Sequence, residues 1–546
     1  MTREPNHSRR PLLLGGLLAL AVVAAGAALA LGLTGSDSVV LTQTGVYVEG
    51  VAGTWQRVNP LYASLNEVDQ DLSQLVFSGL VRIGPDGTVL PDMADLPQIS
   101  EDGRTYTFRL RKNVSWHDGT PVTSRDVAFT ISRLTDPDFK GDTTLAEAWL
   151  GVEVETPDAS TVVFRLKQAS APFLARNTTI GILPEHLLRG LSAAALFDAP
   201  FNAAAIGSGP YRLQSLDSRE ATLVANESYH LGRPGIQTIK LRFYTDYPSA
   251  IRALESGAID GLMVRDSLSE ARRTELGKVK GMKVEQPARA AYLVLYLNND
   301  QAAFFQDDRV RLALSLAINR QSIVESSFLG AAVASSSAIA PGTWAYAKEY
   351  DQPTANVSQA KKLLDDAGWK AHPTTGILVK EGQEFRFTIR TDTDPLRVAV
   401  ANEIARQLEP LGIRATVAST TFSVLRRDFL QERKYDAALA GWDQGPDPDP
   451  YFGWHSSQTG TAGLNLANYS DVVADSLIAK GRTTVDREVR KDAYRQFQEV
   501  WSEQAPSVVI AYPRYTYVHS AAVKIPTLGI LFSASLRFSE VQRWKQ

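Results

Sequence analysis

The chain reads as an α/β protein of two lobes, the first carrying an extra α+β insert. Two observations predict this. Between residues 385 and 441, strand-like and helix-like segments alternate as βαβαβ, the pattern of a parallel sheet covered by helices. A separate α/β stretch precedes residue 290 and is interrupted, from 82 to 204, by hairpins whose apolar residues alternate every second position. The length agrees: 546 residues make about three or four compact units, and 44% hydrophobic residues supply their cores.

Taken in order, Arg3, Arg9 and Arg10 precede an uncharged, largely apolar run from Pro11 to Ser36. About 20 apolar residues cross a bilayer, and flanking basic residues stay on the cytoplasmic side, so the rest of the chain is expected outside the membrane. Residues 1–36 read as a cytoplasmic tip and a retained anchor, or as a signal cut near Ala28-Leu29-Ala30; the length of the run favours the anchor. Zero cysteines exclude disulfides, thiol catalysis and a lipid-modified cysteine, so any tether is the helix itself. The exported remainder holds 54 basic and 59 acidic residues, a net charge of −5, which does not suit nucleic-acid binding.

Val39 to Leu41 and Gly45 to Val48 read as a short hairpin, followed by a loop through Trp55 and a helix from Val68 to Leu80. In the insert, Tyr106, Phe108 and Leu110 share one strand face, and Val162, Phe164 and Leu166 another. Between them Thr123 and Asp126 form a capping-box start for a helix carrying Val127, Ile131 and Leu134. Gly207-Ser-Gly-Pro-Tyr211 reads as a backbone switch, its glycines allowing unusual dihedrals. A strand through Ile239, Leu241 and Phe243 and a helix from about 248 to 256, stopped by Gly257, complete that unit.

The second lobe begins near Ala291 with an apolar strand, Tyr292 to Leu297, and a helix opened by Asp307-Asp308. Within it the strand Tyr435 to Gly441 runs into Trp-Asp-Gln-Gly-Pro-Asp-Pro-Asp-Pro-Tyr-Phe-Gly-Trp-His-Ser-Ser, residues 442–457. Prolines 446, 448 and 450 forbid a helix or central strand, so aromatic and carboxylate side chains are held in a rigid, exposed turn. Ligands of parallel sheets sit beyond the carboxyl ends of strands, where this loop stands. After an amphipathic helix around 487–501, the strands from Ser507 and Thr516 are expected to return to the first lobe. The boundaries are then 37–81, 205–290 and 507–546 for lobe I, 82–204 for its extra subdomain, and 291–506 for lobe II.

No nucleophile elbow, phosphate loop, dinucleotide fingerprint or His-Glu-x-x-His motif occurs, so no enzyme chemistry is expected. The seven histidines are scattered without metal-ligand spacing, and His117 and His455 read as hydrogen-bonding residues. Asp443, Asp447 and Asp449 lack the central Gly and terminal Glu of a calcium loop; no metal and no cofactor is expected. These aspartates shape the turn or meet a ligand, and tryptophan beside carboxylate suits a cationic or polyhydroxylated solute. The candidate ligand contacts are Trp442, Asp443, Gln444, Asp447, Trp55 and Asn298, the last at the end of a strand. Trp116 reads as core or contact.

Over residues 45–520 the chain resembles the extracytoplasmic solute-binding proteins of ABC importers, family 5, whose members take peptides or nickel. The resemblance rests on NPLYASLNEVDQDLSQLVFSGLVRIGPDGTVLPDMA, ISEDGRTYTFRLRKNVSWHDGTPVTSRDVAFT, GSGPYRL, ALESGAIDG, DDRVRLALSLAINR, KKLLDDAGW and YDAALAGWDQGPDPDP, in this order. It implies a periplasmic-binding-protein-like fold of type II with the extra subdomain of the peptide-binding class. It also implies a monomer that closes on an oligopeptide-like solute and delivers it to a membrane permease served by a cytoplasmic ATPase. Nickel chelates, oligosaccharides and a sensor role toward a membrane signalling partner are the alternatives. Peptide-binding members carry an aspartate, partner of the peptide ammonium, three residues after the tryptophan matching Trp442; here that place is Gly445. Asp443 and Asp447 are the candidates to replace it.

Overall fold

A computed structural model describes residues 45–265 and 267–546. The expected anchor or signal of residues 1–36 and the strand at 39–41 lie outside the described residues. Among the described residues no helix is long and apolar enough to cross a membrane.

Two mixed sheets organise the chain. The first has seven strands, in the order Met282–Glu285, Thr516–Ser520, Gly261–Val264, Val46–Ala52, Thr238–Tyr244, Glu220–Ala225 and Tyr211–Leu216. Val46–Ala52 lies at its centre, parallel to both neighbours. The described arm of the hairpin expected there is the start of a seven-residue central strand, Val46–Ala52. Its alternating buried residues, Tyr47, Glu49 and Val51, reach the first lobe's interior.

The six-stranded second sheet runs Ala332–Ala334, Ser507–Pro513, Ala291–Leu297, Ala437–Asp443, Arg386–Asp392 and Arg414–Thr420. The βαβαβ reading matches its parallel part: Arg386–Asp392 pairs in parallel with Arg414–Thr420 on one side and Ala437–Asp443 on the other. Ala291–Leu297 is buried along its whole length because both faces are covered. Leu293, Leu295 and Leu297 enter one apolar core, and Tyr292, Val294 and Tyr296 the other.

Ser507–Pro513 corrects the expected boundary, for it pairs with Ala291–Leu297 in the second sheet, not the first. Six of its seven residues are buried, which needs a strand covered on both faces, and only Thr516–Ser520 returns to the first sheet. The chain thus crosses between sheets twice side by side, at 286–290 and 514–515. Arg289 N donates to Pro513 O (2.9 Å) and Tyr515 N to Pro287 O (3.1 Å). A third segment joins this ribbon, with Leu531 N donating to Ala288 O (2.8 Å) and Ala290 N to Leu531 O (2.9 Å).

The insert holds a four-stranded antiparallel sheet whose inward residues Tyr106, Phe108, Val162 and Phe164 are buried. Its helix Ser124–Leu134 starts as expected, Thr123 N donating to the Asp126 carboxylate at 2.7 Å. The return at Gly207 and Gly209 depends on close approach, not on unusual dihedrals. A Cβ on Gly207 would lie 1.9 Å from Val76 O, and one on Gly209 2.5 Å from Val76 C, at the end of the helix Glu67–Val76. His117 fastens the insert to this return: Gly207 N donates to Nδ1 (3.2 Å), and Nε2 faces Gly209 O (3.0 Å). Its ring is neutral, since Nδ1 accepts and Nε2 donates.

The C-terminal segment closes the first lobe. Arg537, fully buried, donates to Glu49 (2.8 Å) and to both oxygens of Asp71 (2.8 and 2.7 Å), and Trp544 packs edge-on against Tyr47.

Candidate functional site

Trp442 and Asp443 are the last two residues of the Ala437–Asp443 strand, so the proline loop leaves the carboxyl end of a parallel strand as expected. The loop is less open than its composition predicts, and residues 447–450 are buried. The cause is an arginine for each carboxylate. Arg490 meets Asp447 with two hydrogen bonds, 2.9 and 2.6 Å, from the long helix Arg487–Gln504. Burial works against the Arg490 charge, but the Asp447 carboxylate beside it outweighs that and holds the guanidinium above its usual range. Arg482 bonds to Asp449, with Arg176 Nη2 a further 4.0 Å from the same oxygen. Burial raises Asp449 and these two arginines pull it back. Arg289 holds the exposed Asp443 at 2.7 Å.

Other sequence candidates are committed to internal bonds. Gln444 latches its strand end, Nε2 donating to Ala338 O (2.6 Å) while Oε1 accepts from Ala340 N (3.1 Å). Asn298, expected as a contact, is instead fully buried: Nδ2 donates to Arg433 O and Tyr435 O (both 2.9 Å) and Oδ1 accepts from Asp300 N and Gln301 N. It ties a strand end to the neighbouring loop, and nothing of it faces a cleft. Trp55 is half-buried on the first core, with Nε1 donating to Asp217 O (2.8 Å). Trp116 is core. His455 accepts from Ser457 N at 3.1 Å. Among the described residues no group of three or more His, Cys, Asp or Glu is placed to hold a metal.

Two cavities flank the proline loop. One, of about 350 Å³, is formed between Phe77, Arg82, Asp92 and Arg176 of the first lobe and its insert, with Pro446 as the facing wall and Phe532 closing it from the C-terminal segment. The other, of about 280 Å³, lies between Tyr106 and Leu174 of the insert and Trp344, Asp447 and Arg490 of the second lobe. Adjacent loop residues, Pro446 and Asp447, thus wall both. Trp442, half-buried beneath Gly453, and Trp55 line neither. Arg82, Arg176, Trp344 and Phe532 were missed from sequence because each sits in an unremarked strand, helix end or loop, and only the tertiary fold assembles them. The helix Pro172–Arg176 is anchored by buried Phe173, and Ala171 N donates to Arg482 O (2.8 Å), bridging insert and second lobe.

Two α/β lobes, an insert and cavities at the carboxyl end of a parallel strand are the architecture of a solute-binding protein. Residues 88–463 match the model for "Bacterial extracellular solute-binding proteins, family 5 Middle", and the chain belongs to this family of ABC transporter solute-binding proteins. The oligopeptide-binding protein AppA of Bacillus subtilis is 30% identical over 479 residues, covering 86% of this chain and 87% of AppA. The structure of that protein with a nonapeptide superposes with a TM-score of 0.66 at 27% identity, covering 92% of this chain and 99% of AppA's. NikZ from Campylobacter jejuni, in complex with Ni(L-His), gives a TM-score of 0.68 at 27% identity, covering 92% of this chain and all of NikZ's. Members of the family bind solutes and are not enzymes.

Proposed function

We propose that the protein captures an oligopeptide-like solute in the inter-lobe cleft and hands it to the permease of an ABC importer. The observation that carries this reading is the position of Pro446 and Asp447, one loop walling two cavities between lobes. The likeness to an oligopeptide-binding protein over most of both chains supports the peptide class. Closure transmits a signal only if the solute favours the closed arrangement over the open one. In this reading the protein is a monomer without enzymatic activity, lying outside the cell membrane and held to it by residues 1–36 or released after their cleavage. Lobe I then comprises residues 37–81, 205–290 and 514–546, the subdomain 82–204, and lobe II 291–513. Of the contacts expected from the sequence, Asp447 walls one of these cavities, while Trp442 and Asp443, exposed in part on the same loop, line neither.

Native mass spectrometry of protein purified from a peptide-rich lysate tests it. Retained peptides are expected; retention of a sugar or metal chelate alone rejects the peptide class. A non-peptide solute is the second reading, favoured by Gly445, since Asp443 and Asp447, the two candidates to replace its missing carboxylate, are both paired with arginine.

A further inference from the structure

The end of the first sheet that lies away from the crossing ribbon collects cations that the fold does not use. Val46–Ala52 begins there, Thr516–Ser520 ends there, and Met282–Glu285 starts beside it, Met282 pairing with Ser520. Four exposed lysines stand along this rim. Lys278 closes the helix Glu270–Lys278, and Lys280 lies in the turn that follows, which Ala521 N joins by donating to Gly281 O (2.7 Å). Lys524 comes three residues later and pairs antiparallel with Lys545, each backbone N donating to the other's O (2.7 and 3.2 Å). Among the described residues none of the four forms an ion pair. The acids of this end are engaged already: Glu227 holds Arg233 (2.8 Å), Glu255 and Glu275 hold Arg272 (2.7 and 2.9 Å), and Asp260 accepts from Val48 N (2.9 Å).

The rest of the chain joins at the same rim. Gly45 N donates to the Gln546 side chain, next to Lys545, and Gln546 Nε2 to Val46 O (3.2 Å). Only residues 37–44 separate this point from the apolar run that ends at Ser36, and a segment of that length reaches at most about 30 Å. An anionic headgroup layer attracts lysine over about a Debye length, roughly 10 Å at 0.1 M salt, and repels the acidic remainder of the body. An attraction too weak to recruit a free protein suffices for one already held at the surface, because tethering raises the local concentration. We propose that this rim faces the membrane and docks on anionic phospholipid headgroups through Lys278, Lys280, Lys524 and Lys545. The proposal rests on the reading of residues 1–36 as a membrane segment. It leaves the opposite end of the sheet, where the chain crosses to the second lobe, directed away from the bilayer.

The chain has no cysteine, so a single introduced one can carry a fluorophore. Ala522→Cys labels the rim, and Ser218→Cys, exposed at the other end of the sheet between Tyr211–Leu216 and Glu220–Ala225, is the control. The full chain is reconstituted into vesicles of phosphatidylcholine alone or mixed in equal parts with phosphatidylglycerol, each carrying a headgroup-linked quencher. Quenching of the rim label is expected to be about twofold or more stronger in the anionic vesicles, and to fall to the neutral level in about 0.5 M salt. The combined variant Lys278→Gln, Lys280→Gln, Lys524→Gln and Lys545→Gln should show the neutral level in both. Equal quenching of the rim label in the two lipids, or an equal gain at the control label, overturns the proposal. Flotation tests the underlying reading separately: a chain that does not float with neutral vesicles has no membrane segment. The rim is then judged on anionic vesicles alone, where salt-sensitive flotation that the four-lysine variant loses supports it and any other result overturns it.

Discussion

Replacing Arg490 by Met removes two hydrogen bonds to Asp447, one to Gly481 O (2.7 Å) and one to Tyr494 Oη (3.3 Å), and leaves a carboxylate buried without its counter-charge. Breaking a buried pair from one side costs about 3–5 kcal/mol, most of it the penalty of the stranded ion. For a cooperative unit of roughly 200 residues, about 2–4 °C per kcal/mol makes the expected fall in Tm about 6 °C or more. Replacing both partners, Arg490→Met with Asp447→Leu, removes the stranded charge, and stability is expected to return to within about 1–2 kcal/mol of wild type. Urea unfolding followed by tryptophan fluorescence, run on both singles and the double, measures the coupling. Capture should fall in all three variants, since Asp447 and its neighbour Pro446 wall both cavities. Singles costing under about 1 kcal/mol, with an additive double, would show that Asp447 is not held by this pair and refute the account of the loop.

Three further outcomes are expected. His117 is pushed down by burial from 6.5 to about 4, so the unfolded chain takes up its proton first as pH falls; its contribution is complete above about pH 6.5 and lost toward pH 4. That loss is worth about 1–3 kcal/mol after allowance for partial exposure, and the difference between wild type and His117→Gln in urea midpoint should shrink over this window; a pH-independent difference contradicts it. Arg537→Met strands Glu49 and Asp71, costing about 3–5 kcal/mol at pH 7. Because burial already raises Glu49, its protonation should make the deficit smaller at pH 4.5 by calorimetry, and a deficit that grows on acidification excludes this cause. Gly445→Asp has room for its Cβ and no left-handed backbone to strain. It should pair with Arg176 and change stability by under about 1 kcal/mol in urea unfolding; a loss of more than about 2 kcal/mol would show that the site cannot take the carboxylate.

The parallel part of the second sheet was legible because alternation of strand and helix is a local property. The cap at Thr123 and Asp126 and the burial of Tyr106 and Phe108 followed for the same reason. Ser507–Pro513 was misplaced because an apolar strand does not state which sheet will cover its faces. Asn298 looked like a contact by its place at a strand end, yet a side-chain amide there also satisfies backbone groups of a neighbouring loop. The proline loop was legible as a loop, but its exposure was not. Burial of Asp447 depends on Arg490, 43 residues later, and no local pattern pairs them. Arg82 and Arg176 stand 94 positions apart and converge only through the insert's return to the first sheet.

The side-by-side crossing at 286–290 and 514–515 has a mechanical meaning. A single connecting strand is a swivel, free to twist, tilt and slide. Two strands laced to each other and to Leu531 act as a leaf spring, soft to bending across the ribbon and stiff to torsion, because torsion would shear the bonds between Arg289 and Pro513 and between Tyr515 and Pro287. Twisting one lobe against the other would have to break these bonds, and inserting a residue in one arm alone would put the two arms out of register.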